Sequence, residues 1–591
     1  MGKYTDKIPN YDRYPYIRVT GRADDCLTGW DAVCGEIKRR LAATGNPPAT
    51  VVAVECYQGV LEDEIVEALQ SRFERAAVLR SADAMKPPAE ISDFFRDDIT
   101  GDELFGYMTR HTIDCYFDSA RTDRLRRQTA SEPGLTFIVG TGAAHVCPDA
   151  QLLIYADMAR WEIQQRFRRN AVANTGADNR DERASLQYKR AFFVDWRICD
   201  RFKKSLMKKW DYVLDTCIPG HPKMITRHLF EQGLAQAVRR PFRVVPFFDP
   251  GPWGGQWMKE VCDLDREAVN YAWCFDCVPE ENSLLLGFGD VRFEIPAIDS
   301  VFACPRELLG DAVHGRFGDE FPIRFDFLDT MQGGNLSLQV HPPTEYIQEK
   351  FGLHYTQDES YYMLDTGEGA CVCLGLREGI SPEAMMTDLR AAQAGATFDA
   401  EKYAGRYPVK KHDHVLIPAG TVHCSGANSM VLEISATPFI FTFKLWDWGR
   451  LGLDGRPRPL NIAHGERTIQ WNRTESWVRR ELLNRVEKIA EGKGWTEERT
   501  GLHEREFIET RRHWFTGAVH HRTGGGVNVL NLVEGREATV ESPHHAFEPF
   551  VVHYAETFIV PAAVDEYIIR PSGESEGQRC ATVKAYVRNQ A

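Results

Sequence analysis

Between residues 50 and 220, short uninterrupted apolar runs alternate with stretches whose apolar positions recur at helical spacing. T-V-V-A-V-E-C at 50–56 reads as a strand, followed by a turn at Gln58-Gly59 and an amphipathic helix from Leu61 to Phe73. G-L-T-F-I-V-G (Gly134–Gly140) and Q-L-L-I-Y-A-D (Gln151–Asp157) read as further strands, the second running into the helical M-A-R-W-E-I-Q-Q-R-F-R-R. A-F-F-V-D-W, ending at Trp196, reads as another strand, with R-F-K-K-S-L-M-K-K-W-D-Y-V-L-D helical behind it. Continuous apolar strands separated by helices predict a parallel sheet covered on both faces.

From about Phe242 the texture changes to short strands divided by turns rich in Gly and Pro, such as D-P-G-P-W-G-G, G-F-G-D and I-P-A-G. Such spacing predicts an antiparallel sandwich or barrel. One helical interlude runs from Pro382 to Ala394, and a charged helix is expected between Thr474 and Glu491, where apolar residues return at helical spacing. The expected organisation is multidomain: an α/β domain at 1–225, a β domain with a helical insertion at 226–470, a linking helix at 471–504 and a smaller β domain at 505–591.

Composition narrows the functional classes. Acidic residues outnumber basic ones, 85 to 71, for a formal charge of −14, so no nucleic-acid surface is expected. The basic run Arg201, Lys203, Lys204, Lys208 and Lys209 reads as a solvated helix face. Fifteen cysteines follow no framework spacing. A core this large needs no disulfides, and reduced thiols in a cytoplasmic protein are the simpler reading. The pairs Cys274 with Cys277 and Cys371 with Cys373 have no second pair at zinc-site distance and read as ordinary buried residues. No stretch approaches the ~18 apolar residues of a membrane span, so no membrane partner is expected.

Three separated pieces carry the most specific chemistry. In N-L-S-L-Q-V-H-P, Gln339 and His341 are two apart, and a strand places both on one face. Glu359 opens the apolar strand S-Y-Y-M-L-D, and His423 follows the tight turn I-P-A-G-T-V. Two imidazoles, a carboxylate and an amide oxygen suit Zn²⁺, with Fe²⁺, Co²⁺ or Mn²⁺ as substitutes, and leave room for substrate oxygens. His412 and His414 before the turn, and His354, are weaker candidates.

These segments resemble the class I mannose-6-phosphate isomerases, a zinc-dependent family built on cupin barrels. The likeness runs from F-F-D-P-G-P-W-G-G-Q at 247–256 through R-F-G-D-E-F-P-I-R-F-D-F-L-D, L-S-L-Q-V-H-P, E-S-Y-Y-M-L-D, I-P-A-G-T-V-H and L-E-I to K-L-W-D-W-G-R and G-R-P-R-P-L-N-I, which ends at residue 462. The resemblance implies one zinc ion held by Gln339, His341, Glu359 and His423, and interconversion of an aldose and a ketose phosphate through a cis-enediol. It further implies Glu433 as an acid/base or orienting group, Arg450 and Arg458 in the region closing over the substrate, and Lys444 where the short bacterial members carry a catalytic arginine. Three residues depart from the pattern: the family often has lysine at Asp326 and histidine at Asn461, and lysine at 444 lacks the planar guanidinium fork. They bear on the sugar and leave the ligand set intact.

The last β region repeats the turn as V-P-A-A-V-D-E, with Ala563 for glycine and Glu566 where a histidine would stand. A second cupin barrel without metal follows from the resemblance; His520, His521, His544, His545 and His553 could together hold a metal, although paired histidines in loops usually do not. The opening at Val51–Leu69 is weakly similar to P-loop nucleoside and nucleotide kinases. It reads E-C-Y-Q-G-V-L-E-D-E, without the glycine run or the G-K-[ST] that holds phosphates, and Glu62, Asp63 and Glu64 would repel a nucleotide. A non-catalytic scaffold is expected there. The leading expectation is a cytoplasmic, metal-dependent aldose–ketose isomerase acting on mannose 6-phosphate and fructose 6-phosphate or a related sugar phosphate, with a homodimer left open. The alternatives are a non-catalytic zinc cupin that binds or senses a sugar, an isomerase of unphosphorylated sugars, and a bifunctional kinase and isomerase.

Overall fold

The apolar runs of the first third of the chain form a seven-stranded sheet in the computed structural model, which describes every residue except 1–3, 5–6, 44–48, 437–438, 440, 502 and 589–591. Its order is Leu27–Thr28, Lys223–Thr226, Tyr212–Asp215, Leu152–Asp157, Ala49–Cys56, Gly134–Gly140, Ala77–Arg80. The last five are mutually parallel, and the first two join antiparallel at one edge. Val52, Ala53, Ile138, Val139, Ile154 and Val213 are buried, as a sheet covered on both faces requires. The turn leaving Ala49–Cys56 passes through Gly59 at φ +94°, where a Cβ would come within 2.8 Å of Ile163.

Two secondary-structure expectations fail in this region. A-F-F-V-D-W is helical, because Ala184–Arg190, a π-helical turn at Ala191–Asp195 and Trp196–Leu206 follow one another without a break. Phe192, Phe193, Val194 and Trp196 are all buried, and a helix buried on every side gives the same apolar run as a buried strand. Conversely, the helix expected through W-D-Y-V-L-D ends at Leu206, and Tyr212–Asp215 is a fully buried strand.

The contacts divide the chain into two compact units, one of Tyr16–Gln236 with Ser283–Ala303, the other of Met1–Pro15, Ala237–Asn282 and Cys304–Ala591. Ser283–Ala303, read from the sequence as part of the β region, thus belongs to the α/β unit, where Ser283–Phe288 pairs with Tyr16–Arg18 and Val291–Pro296.

The second unit contains two pairs of antiparallel sheets. In the first pair, one sheet runs His414–Ile417, Glu359–Thr366, Ser429–Ser435, Arg324–Asp329, Trp273–Cys277, Phe247–Asp249, and the other runs Ala404–Pro408, Cys371–Leu376, His423–Ser425, Leu338–Val340, Phe443–Trp446. The helix Pro382–Gln393, capped by the Ser381 hydroxyl, matches the expected interlude. In the second pair a six-stranded sheet, Glu487–Gly492 to Thr557–Val560, accompanies a four-stranded one holding Val519–Arg522 and Glu566–Pro571. Its core is Phe515, Leu530, Leu532, Val540, Phe558 and Ile569.

The charged helix expected over Thr474–Glu491 spans only Glu475–Glu481. Asn484, at φ +48°, turns the chain out of it, and its side-chain oxygen and backbone N–H bond the backbone of His414 at 2.8 and 2.9 Å. The remaining residues form the hairpin Glu487–Gly492 and Trp495–Gly501 of the six-stranded sheet.

Candidate metal centre

Backbone register assembles the site. Gln339 pairs with His423 on one side and with Lys444 on the other, so the side chains of His423, Gln339 and Lys444 share one face of three adjacent strands. Glu359 comes from the first strand position of the other sheet, with Tyr361 paired to Glu433 and Glu433 to Asp326 on the neighbouring strands.

His341 Nε2 lies 3.1 Å from one Glu359 oxygen and His423 Nε2 lies 2.9 Å from the other. Their ligand atoms fall within 4.8 Å of one another, the one group of this kind among the described residues. His341 Nδ1 is bound to the Phe441 carbonyl at 2.7 Å, and His423 Nδ1 to that of Thr421 at 2.9 Å. A carbonyl can only accept, so each Nδ1 carries the proton and each Nε2 turns a lone pair toward the carboxylate. Three buried acceptors facing one another are stabilised by a shared cation, and the residues fit a divalent metal. Burial favours a neutral Glu359, whereas positive charge at the two Nε2 positions, where a cation would sit, holds its carboxyl well below the usual range. Gln339 stands beside the cluster, its amide nitrogen 3.2 Å from His423 Nε2; a half-turn of the amide presents its oxygen there.

Residues not singled out by the sequence complete the surroundings. Gln357 donates to Glu359 at 2.9 Å while its oxygen accepts the Phe441 N–H at 3.0 Å, which orients the carboxylate. Arg324 is buried between Asp326 at 3.0 Å and Glu433 at 3.1 Å. Where Asp326 departs from the resembled pattern, Arg324, two positions earlier on the same strand face, thus supplies a positive charge. Burial and the Glu359 charge push Glu433 well above the usual carboxylate range, against the pull of Arg324. Asp326 rises to about 7, chiefly through burial.

Lys444 is pushed down to about 8 by burial and by Arg458. Its backbone is pinned by Asn461, which donates its N–H to the Lys444 carbonyl at 2.8 Å and accepts the Lys444 N–H on its side-chain oxygen at 3.3 Å. Arg450 and Arg458 converge on the buried Asp447, Arg458 at 2.7 Å, and Arg450 also donates to the Asn335 carbonyl at 2.6 Å. Arg324 and Gln357 each sit two residues from a partner, Arg324 on the strand of Asp326 and Gln357 just before the strand that Glu359 opens, the one signal by which the sequence could have exposed them.

The weaker candidates lie elsewhere. His354 is exposed, His412 pairs with Glu534 at 3.1 Å, and His414 is buried and driven down to about 3 by desolvation. Cys274, Cys277, Cys371 and Cys373 are buried. His520, His544 and His545 are exposed, and none of the five C-terminal candidates joins a metal-type cluster among the described residues.

With this geometry in place, comparison with known proteins adds a family profile, two relatives and a solved structure. A domain-family profile described as a domain of unknown function (DUF8485) matches residues 29–239. A mannose-6-phosphate isomerase of Streptococcus mutans is 30% identical over 212 residues, covering 36% of this chain and 61% of that protein. The mannose-6-phosphate isomerase ManA of Bacillus subtilis is 24% identical over 236 residues, covering 39% of this chain and 68% of its own. The chain is a distant relative of these isomerases. It spans less than two thirds of the length of the S. mutans protein, 61%. A crystal structure of mannose 6-phosphate isomerase from B. subtilis aligns over 59% of this chain and all of its own, at 19% identity and a TM-score of 0.48.

Proposed function

We propose that the chain is a metal-dependent aldose–ketose isomerase that interconverts mannose 6-phosphate and fructose 6-phosphate, or a closely related sugar phosphate, by proton transfer through a cis-enediol. One observation carries this reading: the His341, Glu359 and His423 cluster shares its sheet-pair interior with the ammonium of Lys444 and the elevated carboxyl of Glu433. The distant relationship to mannose-6-phosphate isomerases supports the choice of reaction. Zinc, held by Gln339, His341, Glu359 and His423, supplies positive charge toward two adjacent substrate oxygens when bound. Glu433, poised by Arg324, moves a proton between C1 and C2, and Lys444 steadies developing negative charge on oxygen. Arg450 and Arg458, gathered at Asp447, serve the phosphate end of the substrate.

The prior engagement of both arginines by Asp447 favours a second reading in which the sugar is unphosphorylated. Zinc-loaded protein is assayed with mannose 6-phosphate, fructose 6-phosphate, mannose and fructose, with Glu359→Gln as control. Turnover of the phosphates that disappears in the variant is the expected result. Turnover confined to free sugars moves the assignment to the second reading, and saturable sugar binding without turnover overturns the isomerase.

A further inference from the structure

The parallel strands of the α/β unit are connected so that the first of them, Ala49–Cys56, lies between the third, Gly134–Gly140, and the fourth, Leu152–Asp157. Connections leaving neighbouring carboxyl ends diverge at such a point, and open parallel sheets bind ligands in the crevice this creates. A cavity of about 550 Å³ opens beside this point, over the carboxyl ends of the first three of these strands, within the ~300–1,000 Å³ usual for small-molecule sites. Its walls are the turn 58–63 after the first parallel strand, the segment 80–88 after the second, Thr141 after the third, and the segment 171–180.

The charges around it run against those of the whole molecule. In a chain of net charge −14, Arg80, Lys86, Arg121 and Arg180 line this one cavity against only Glu62 and Asp63. The acidic run that seemed set to repel anions is disarmed locally. Asp63 is paired with Arg80 at 2.7 Å. Glu64 faces away, accepting from Trp30 Nε1 at 3.1 Å and the Gly220 N–H at 3.0 Å. Glu62 accepts the Thr141 N–H at 3.1 Å, and burial raises its carboxyl. Arg121 spends one nitrogen on the Met85 carbonyl at 3.0 Å, and Arg180 stands exposed on the facing segment. The buried hydroxyl of Thr175, also on the wall, has no hydrogen-bond partner among the described residues.

We infer that this crevice binds a phosphate-bearing small molecule through Lys86, Arg121 and Arg180, with Thr175 as a further hydrogen-bonding group. No aromatic side chain among the described residues lines it, so the phosphate and not a stacked base carries recognition. The missing G-K-[ST] lysine and hydroxyl make it a binding site without phosphoryl transfer. The inference is independent of the isomerase reading.

Pyrophosphate, ATP and mannose 6-phosphate are titrated calorimetrically into the full-length protein and into Lys86→Ala, Arg180→Ala and Lys444→Met. Saturable binding of at least one probe, weakened at least about tenfold by Arg180→Ala or Lys86→Ala and unchanged by Lys444→Met, is the expected result. The tighter of ATP and mannose 6-phosphate tells a nucleotide from a sugar phosphate. Arg180 is exposed, so its variant folds, and an unchanged melting temperature verifies this. No saturable binding of any probe, binding indifferent to both α/β substitutions, or binding lost only in Lys444→Met overturns the inference.

Discussion

In the first sheet pair, His341 and His423 are anchored at Nδ1 by main-chain carbonyls and turn Nε2 onto the two oxygens of one glutamate. In the second pair, His513 and His521 are equally buried and their rings lie 4.5 Å apart, yet no carboxylate is shared between them. His513 Nε2 reaches Glu497 at 3.4 Å, whereas His521 stacks on Tyr567. Burial drives both imidazoles down, and the buried ammonium of Lys584 adds to that. Two sheet pairs of one chain thus place histidines inside, and what separates them is the direction of the nitrogen lone pairs and whether one carboxylate is shared between the rings. Buried histidine alone is not a metal signal.

The comparison breaks first at its strongest point. Glu359→Gln leaves the imidazoles with no anion between them, and its metal affinity should fall by roughly 100-fold or more; metal analysis after dialysis against a graded chelator series reads this directly. Metal retained at full stoichiometry would sink the proposed ligand set. Lys444→Met should keep the metal but lower kcat by about 10²–10³, and equal loss of metal would recast Lys444 as structural. Gln357→Leu frees the Glu359 carboxylate and should cost about 10-fold to 100-fold in metal affinity, measured by competition with a chromophoric chelator.

Effects in the second pair should be smaller and of another kind. Burial pushes Lys584 down to about 8, below the ~10.4 of an unfolded chain. Between those values the unfolded state holds the additional proton, so stability rises with pH across that window. Lys584→Met should abolish this rise and gain roughly 2–3 kcal/mol at pH 7, as denaturant titrations from pH 7 to 10.5 would show. Glu566→His, which places a histidine at that position of the turn motif, should bind no metal and shift stability by less than about 0.5 kcal/mol, since it forfeits only pairs with the exposed Arg522 and His544.

What the sequence revealed depended on how local the signal was. Gln339 and His341 share a face by strand alternation, and the Pro-Gly turn before His423 is chemically distinctive, so the cluster was legible in advance. The carbonyls of Phe441 and Thr421 and the fork at Asp447 were not, because register and turn geometry place them. Ala191–Asp195 misled because a fully buried helix and a fully buried strand share one apolar pattern. The segment after Glu481 misled because helical spacing continued where Asn484 was already committed to His414. In the α/β unit, the residues Glu62-Asp63-Glu64 read as one acidic block, whereas folding sends the three carboxylates to three different partners.

The Nδ1 anchors of His341 and His423 have a consequence for how this chain can change over generations. Both are main-chain oxygens, which no side-chain substitution deletes, so the orientation of the imidazoles is insulated from ordinary drift. The surroundings have no such insulation: Lys444, Asn461, Asp326 and the arginines are joined through side chains, and each can be exchanged one mutation at a time. What surrounds such a centre can therefore be retuned one side chain at a time while the orientation of its imidazoles stays fixed.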